Sequence, residues 1–187
     1  MISKQLFFQE YKKKLDKNLT QKEVESVDKF LDSINNNFDF FNVLEWAYVL
    51  ATVLHETAGT YEPVIEAYWK SEEWRKRNFR YYPYYGRGFV QLTWDYNYKT
   101  FSKLLKKDLV NNPELACDYN IAFEVMMYGF KNGVFTGKKL SDYEGSKYTD
   151  YMKFVNMRRI INGTDKAELI ADYAQEFYRI LKISVNN

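Results

Sequence analysis

The chain has 187 residues, of which 46% are hydrophobic, 28% charged and 19% aromatic. This composition excludes disordered, collagen-like and low-complexity proteins and predicts one domain with a substantial core. Lys and Arg total 27 against 25 Asp and Glu, so the balance gives no sign of a nucleic-acid-binding protein. A single Cys and a single His exclude an internal disulfide and the usual multi-Cys or two-His metal sites.

No targeting signal is evident in the first residues. The apolar run Leu6-Phe7-Phe8 stops at Gln9, and the longest apolar stretch, 46–54, is too short to cross a bilayer. We therefore expect a protein made in the cytoplasm without a signal peptide and without stable membrane insertion. If it acts outside that compartment, something else must release it.

Hydrophobic periodicity predicts a mainly α protein. The first helix is expected over 5–15, and the second follows the capping-box pattern Thr20-Gln21-Lys22-Glu23. A strongly apolar third helix is expected over 42–58, with Gly59 in the position of a C-terminal cap. The remaining helices are predicted at 96–107, 120–132, 150–161 and 165–183.

The helical pattern breaks between Gly59 and Gly88. This stretch contains two Pro, three Gly and the aromatic run 81–85. Long irregular segments in compact domains are usually functional, so we expect this one to line one side of a cleft.

The first chemical candidate is Glu56, in the sequence His55-Glu56-Thr57 at the end of the apolar helix. Burial and the negative end of the helix dipole both favour the protonated carboxyl, which suits a general acid. The alternative is that Glu56 pairs with an arginine and only holds a loop.

The sequence also raises two other kinds of chemistry, a zinc site and a cysteine nucleophile. His55 begins a zinc-binding H-E-x-x-H pattern, but position 59 is Gly, so no metal and no cofactor is expected. A Cys117–His55 pair, as in a cysteine amidase, is conceivable. However, a lone Cys on a helical pattern is usually a small buried hydrophobic residue.

A second cluster runs from Tyr84 to Tyr98. Glycines on both sides of Arg87 allow a tight backbone path. Neutral hydrogen-bonding groups then occur among aromatic rings, at Gln91, Thr93, Tyr96 and Asn97. Such a mixture suits acetamido sugars, which have polar hydroxyls and apolar ring faces, although Tyr-rich loops also simply pack.

These two clusters together resemble family 19 glycoside hydrolases, the lysozyme-like chitinases and related bacteriophage endolysins. The matching motifs are H-E-T-A-G-T at 55–60, Y-G-R-G-F-V-Q-L-T-W at 85–94 and Y-N-Y at 96–98. Weaker matches lie at 108–116, 133–140 and 158–163, so the resemblance covers about residues 20–187. It implies a lysozyme-like helical domain with a substrate cleft and an irregular active-site loop region.

The resemblance also implies roles for individual residues. Glu56 matches the acid that protonates the glycosidic oxygen, and Thr93 matches the hydroxyl residue that holds the attacking water. Arg87 is expected to organise loops and carboxylates, with His55 also in a structural or electrostatic role. Residues expected to contact the sugar are Tyr85, Gln91, Tyr96, Asn97 and Asn162.

The sequence offers several candidates for the second carboxylate. Plant-type members carry disulfides and place their second Glu shortly before the Y-G-R-G block, where this chain offers only Glu72 and Glu73. The phage-type branch is similar to the run from His55 to Glu66. We therefore expect Glu66 to be the base, with Glu62 a weaker candidate. Its carboxyl should lie roughly 6.5–9.5 Å from that of Glu56, as inversion requires.

The leading hypothesis from the sequence is a monomeric, single-domain (1–187) endolysin without a separate wall-binding domain. It would cleave the β-1,4 bonds of peptidoglycan by inversion, for host-cell lysis. The alternative is a chitinase acting on β-1,4-linked N-acetylglucosamine polymers. Less favoured are an inactive wall-binding module and a cysteine amidase dependent on Cys117.

Overall fold

The fold was obtained as a computed structural model that describes residues 1–15, 18–145 and 147–185. Helices dominate these residues. They are α1 (Lys4–Leu15), α2 (Gln21–Asn35), α3 (Val43–Glu56), α4 (Glu72–Asn78), α5 (Asp95–Leu105), α6 (Tyr119–Asn132), α7 (Asp150–Met157) and α8 (Ala167–Ser184). Short 3₁₀ helices lie at Phe38–Phe40, Pro113–Cys117, Leu140–Tyr143 and Arg158–Ile160. The expected mainly α class is confirmed.

Two capping boxes fix the start of the helices that carry the core. Thr20 caps α2 by a reciprocal exchange with Glu23, as the sequence predicts, and Asn42 and Glu45 make the same exchange at α3. Every residue of α3 from Glu45 to Val53 is buried. A helix that is apolar on all sides belongs in the centre of a domain, and α3 packs against α8 and α7.

The two ends of the chain meet beside this core. Ile2 bridges Val185, and the side chain of Asn35 both accepts from the Ile2 amide (2.7 Å) and donates to its carbonyl (3.1 Å). Helix α1 lies against α8, where Phe7 and Tyr11 pack on Phe177. In the described part of the chain, no helix is both long and apolar enough to cross a membrane.

The segment from Gly59 to Gly88 is less irregular than the sequence suggests. Its strands β1 (Val64–Ile65) and β2 (Arg87–Gly88) pair antiparallel, with Val64 opposite Gly88 and Ile65 opposite Arg87. Between them lies α4, which the sequence analysis did not predict, and Glu72 and Glu73 form its first turn. The short pairing brings the chain after Glu56 back against the Y-G-R-G motif.

Candidate active site

Glu56 is the last residue of the buried helix α3 and is 15% exposed. Its Oε1 accepts a hydrogen bond of 2.8 Å from Nη1 of Arg158, which lies 102 positions further along the chain. Arg158 is itself buried, and its Nε donates to the carbonyl oxygen of Asp165 at 2.8 Å. The structure thus forms the arginine pair that the sequence left as an alternative.

The Arg158 contact makes the two oxygens of Glu56 unequal. A guanidinium can only donate, so Oε1 must act as an acceptor. Among the described residues, Oε2 has no hydrogen-bond partner. A proton on Glu56 would therefore reside on Oε2, the oxygen left available to a ligand.

Glu66 directly follows β1 and has a different setting. Its Oε1 accepts from the hydroxyl of Tyr81 at 2.7 Å, and its Oε2 accepts from the backbone N–H of Gly86 at 2.8 Å. The Glu66 amide in turn donates to the Gly86 carbonyl. Donors on both oxygens hold the Glu66 carboxyl in one orientation, and a general base must be positioned in this way.

Tyr81 is fixed by its aromatic neighbours. Its ring stacks on Phe79, with centroids 5.1 Å apart, and lies 4.9 Å from the Trp94 ring. Burial and the hydrogen bond to Glu66 raise the pKa of Tyr81 to about 12, so its hydroxyl remains a donor at neutral pH. The sequence analysis gave Tyr81 no separate role, because an aromatic run does not show which ring meets a carboxylate.

Gln91, Thr93 and Asn97 join the Glu66 side of the site. The Gln91 side chain donates to the Val64 carbonyl (3.2 Å), and the Thr93 hydroxyl donates to the Gln91 carbonyl (2.7 Å). Asn97 donates to the Thr93 carbonyl at 2.8 Å. The Thr93 hydroxyl already donates its hydrogen to a backbone carbonyl. Towards a water molecule it can therefore only accept a hydrogen bond.

Gly86 lies between Glu66 and Gln91. A Cβ added at Gly86 would stand 2.6 Å from Gln91 Oε1 and 3.2 Å from Glu66 Oε2. Contacts below 3.0 Å to a heavy atom force a shift, so any larger residue here would displace these side chains. The glycine of the Y-G-R-G motif thus leaves room for the Gln91 and Glu66 side chains in their observed positions.

Backbone strain is concentrated around the same segment. The described part of the chain has seven non-glycine residues with positive φ, and five of them lie between positions 58 and 94: Ala58, Tyr61, Ala67, Gln91 and Trp94. Such conformations cost free energy and persist where the surrounding structure imposes them, commonly at functional sites. Trp94 (φ 75°) directly precedes α5, and its ring contacts those of Tyr81 and Tyr96.

Arg87 and Tyr85 form a buried support beneath the loop. The Arg87 Nη1 donates to the Pro83 carbonyl and the Tyr98 hydroxyl, both at 2.9 Å, and its guanidinium lies 3.7 Å from the Tyr85 ring centroid. Within the described residues, Arg87 therefore contacts backbone carbonyls and a hydroxyl group of the loop, and it pairs with no carboxylate.

Tyr85 departs from its expected role as a sugar contact. It is only 4% exposed, Arg87 covers its ring, and its hydroxyl donates to Glu72 Oε2 at 3.0 Å. In this structure Tyr85 is a packing residue. Exposed aromatic surface is found instead at Tyr96 (56% exposed) and at Tyr68 and Trp69, an edge-to-face pair just after Glu66 that the sequence analysis did not single out.

Two of the other acidic candidates have structural partners, and the third is exposed. Glu62 accepts from the Ser26 hydroxyl at 2.9 Å. Glu72 accepts from Tyr85 and pairs with Arg75, while Glu73 is exposed on α4. Burial raises the pKa of Glu72, but hydrogen bonds from Tyr85, Arg75 and Tyr82 outweigh it, so the net shift is downward. Of the four candidates, Glu66 alone has both carboxylate oxygens held by neutral donors.

The remaining predicted residues are linked to Glu56 through Arg158 or along α3. Asn162 is exposed in the turn that follows the 3₁₀ helix 158–160. Its backbone N–H donates to the Arg158 carbonyl at 3.0 Å. His55 precedes Glu56 on α3. The structure therefore groups Asn162 with Glu56 and Arg158, and groups Gln91, Thr93 and Asn97 with Glu66.

The surroundings of Cys117 do not suit a nucleophile. Its Sγ donates to the Val64 carbonyl at 3.7 Å, and burial raises the pKa of the thiol. A nucleophilic cysteine needs a lowered thiol pKa and an adjacent base. Within the described residues, no group of three or more His, Cys, Asp or Glu side chains could hold a metal ion.

Glycoside hydrolases use a pair of carboxyl groups as acid and base, and Glu56 and Glu66 are carboxyl groups in unlike settings. The family model for class I chitinases (glycoside hydrolase family 19) matches residues 1–133. The chain belongs to this family, and the resemblance seen in the sequence is confirmed. The match includes Glu56, Glu66, Gln91 and Thr93; Arg158 and Asn162 lie beyond it.

Curated relatives are plant chitinases and match only part of the chain. A basic endochitinase of Brassica napus is 32% identical over 117 residues, which are 57% of this chain and 43% of the relative. An endochitinase of Arabidopsis thaliana is 34% identical over 97 residues, 50% of this chain and 33% of the relative. An inactive chitinase-like protein of Hevea brasiliensis is 48% identical over 46 residues, 24% of this chain and 15% of the relative. The chain thus spans less than half the length of these relatives.

Solved structures match the whole fold. Chitinase C of Streptomyces griseus has a TM-score of 0.63 at 21% identity, covering 99% of this chain and 79% of that one. A bacterial family 19 chitinase has a TM-score of 0.60 at 23% identity, covering 100% and 98%. These likenesses confirm the lysozyme-like helical fold.

Proposed function

We propose that the chain hydrolyses the β-1,4 bonds of an N-acetylglucosamine polymer of the chitin type, with inversion at the anomeric carbon. The observation that carries the proposal is the contrast between the two carboxyl groups. Glu56 has one oxygen on Arg158 and the other without a protein partner, whereas both oxygens of Glu66 accept hydrogen bonds. Inverting glycosidases need one carboxyl to deliver a proton and another to receive one.

In the proposed mechanism, Oε2 of Glu56 protonates the glycosidic oxygen as the bond to the anomeric carbon breaks. Arg158 then stabilises the carboxylate that remains. Glu66 takes a proton from a water molecule that attacks the anomeric carbon from the opposite face. The Thr93 hydroxyl, which can only accept from this water, orients it towards the sugar.

Sugar recognition would come from neutral groups. Gln91 and Asn97 offer amides, while Tyr96 and the Tyr68–Trp69 pair offer exposed rings for the apolar faces of the sugars. The named chitinases among the relatives support chitin as the substrate. The inactive relative makes a measurement of turnover necessary, since membership of the family does not itself establish catalysis.

The second candidate substrate is peptidoglycan, which carries the same β-1,4-linked N-acetylated backbone. The position of Glu66, ten residues after Glu56 and held by Gly86 of the Y-G-R-G motif, favours it, because this spacing resembles the phage-type branch. In that case the protein would act on the wall after release from the cell that makes it, as an endolysin does.

The test compares colloidal chitin with purified peptidoglycan, using the release of reducing ends and a mass spectrum of the fragments. We expect reducing ends from chitin, and Glu56→Gln should lower turnover by about 10²–10⁴-fold while the exposed control Glu168→Gln changes nothing. Release from peptidoglycan alone would assign the second substrate. New amino termini would instead indicate an amidase, and binding without cleavage would indicate a binding module.

A further inference from the structure

A groove of about 660 Å³ lies between the end of α2, the 3₁₀ helix Phe38–Phe40 and one face of α6. Ligand pockets commonly measure 300–1,000 Å³. The α6 residues that line it recur at helical spacing from Asn120 to Asn132, so the groove follows the helix for about 18 Å.

This groove is distinct from the candidate active site. None of the residues assigned there lines it. The 3₁₀ helix Phe38–Phe40 lies just before the first residue of α3, whereas Glu56 is the last. A helix of 14 residues separates its ends by about 20 Å, so the Phe40 end of the groove lies far from Glu56.

The lining combines exposed rings with amides that have unused hydrogen-bonding capacity. Phe40 is 50% exposed and Tyr128 is 41% exposed. Asn36 and Asn120 make no side-chain hydrogen bond within the described residues. Asn37 and Asn132 donate to the Ser33 and Tyr128 carbonyls, which leaves their side-chain oxygens as acceptors.

The charges of the groove cancel. Glu124 and Lys131 are its ionisable lining residues, and the Lys131 ammonium lies 4.0 Å from the centroid of the Phe40 ring. A neutral groove gives no electrostatic advantage to a nucleic acid or an acidic peptide. Its amides disfavour a purely apolar ligand, because they would be buried without partners.

We propose that this groove is a second glycan-binding site, which holds a neutral N-acetylated oligosaccharide segment while the Glu56–Glu66 site acts elsewhere on the polymer. Phe40 and Tyr128 contact the apolar faces of the sugars, and the asparagine amides bind hydroxyl and acetamido groups. The proposal rests on the proposed function for its class of ligand. Two sites on one polymer raise the effective concentration of substrate at the active site.

The experiment titrates N-acetylchitotetraose into the Glu56→Gln protein and follows backbone amide shifts by NMR. We expect two groups of amides to move: Asn36 and Tyr128 at the groove, and Gly86 and Gln91 at the active site. Adding Tyr128→Ala to this protein should raise the dissociation constant obtained from the groove amides about tenfold. The matched control Tyr148→Ala, which removes a ring of 40% exposure elsewhere, should leave it unchanged.

A second measurement uses chains with intact Glu56. Phe40→Ala and Tyr128→Ala should each lower retention on insoluble chitin several-fold while hydrolysis of the soluble tetramer stays within twofold of the unmodified chain. Movement of Gly86 and Gln91 without the groove amides would overturn the second site but leave the proposed function intact. Movement of the groove amides in a chain that shows no hydrolysis would support the second site but overturn the proposed function. Concentration-dependent dimerisation through the groove would also overturn the second site.

Discussion

The buried pair between Arg158 and Glu56 makes a prediction that does not depend on the substrate. In Arg158→Met, a flexible apolar side chain replaces the arginine stem, but Glu56, only 15% exposed, loses the donor to its Oε1 and the Asp165 carbonyl loses its donor as well. Removal of one partner of a buried ion pair costs about 3–5 kcal/mol. Because Glu56 keeps some contact with water, we expect the lower end, about 3 kcal/mol.

For a domain of this size, each kcal/mol lowers the melting temperature by about 2–4 °C, so Arg158→Met should melt roughly 6–12 °C below the unmodified protein. Circular dichroism at pH 7 and urea unfolding would measure the change. The neighbouring Arg159 is exposed, and Arg159→Met should stay within about 0.5 kcal/mol. Combining Arg158→Met with Glu56→Gln should recover part of the loss. A melting temperature within 2 °C of the unmodified protein, or strictly additive effects in the double variant, would refute the reasoning.

Three further predictions concern the rest of the site. Tyr81→Phe removes one of the two donors to Glu66, so kcat should fall roughly tenfold with little change in KM; an unchanged kcat would remove Tyr81 from this role. Cys117→Ser should keep nearly full activity, because burial raises the pKa of that thiol; a folded but inactive variant would revive the amidase hypothesis. The pKa of Glu72 is lowered below its ordinary value of 4.5, so its contribution to stability is present above that pH and is lost as the pH falls through its lower folded value. Glu72→Gln should therefore melt below the unmodified protein at pH 7, and the gap should close at strongly acid pH; a gap that widens in acid would contradict this sign.

The long helices could be predicted from the sequence because their signals are local. The capping box at Thr20 and the apolar spacing of α3 and α8 depend on residues within a few turns of one another. Helix α4 was not predicted, since its seven residues carry no apolar periodicity. The sequence does contain a helix-start signal, Ser71 followed by two Glu. In the structure the Ser71 hydroxyl caps the helix, as serine commonly does.

The candidate site was predicted in part. The motif around Glu56 and the Y-G-R-G block identify residues by resemblance, and β1–β2 pairing explains how Glu66 reaches Gly86. The pairing of Glu56 with Arg158 joins residues 102 positions apart, and no local pattern specifies it. Burial of Tyr85 likewise depends on tertiary packing under Arg87, which spacing alone does not reveal.

The most direct test of the central claim is the configuration of the first product. Proton NMR of N-acetylchitohexaose during the first minutes of hydrolysis distinguishes the α from the β anomer before mutarotation mixes them. Inversion by Glu56 and Glu66, with a water molecule between them, predicts the α anomer as the first product. A β anomer formed first, or an undiminished rate in Glu66→Gln, would contradict the account.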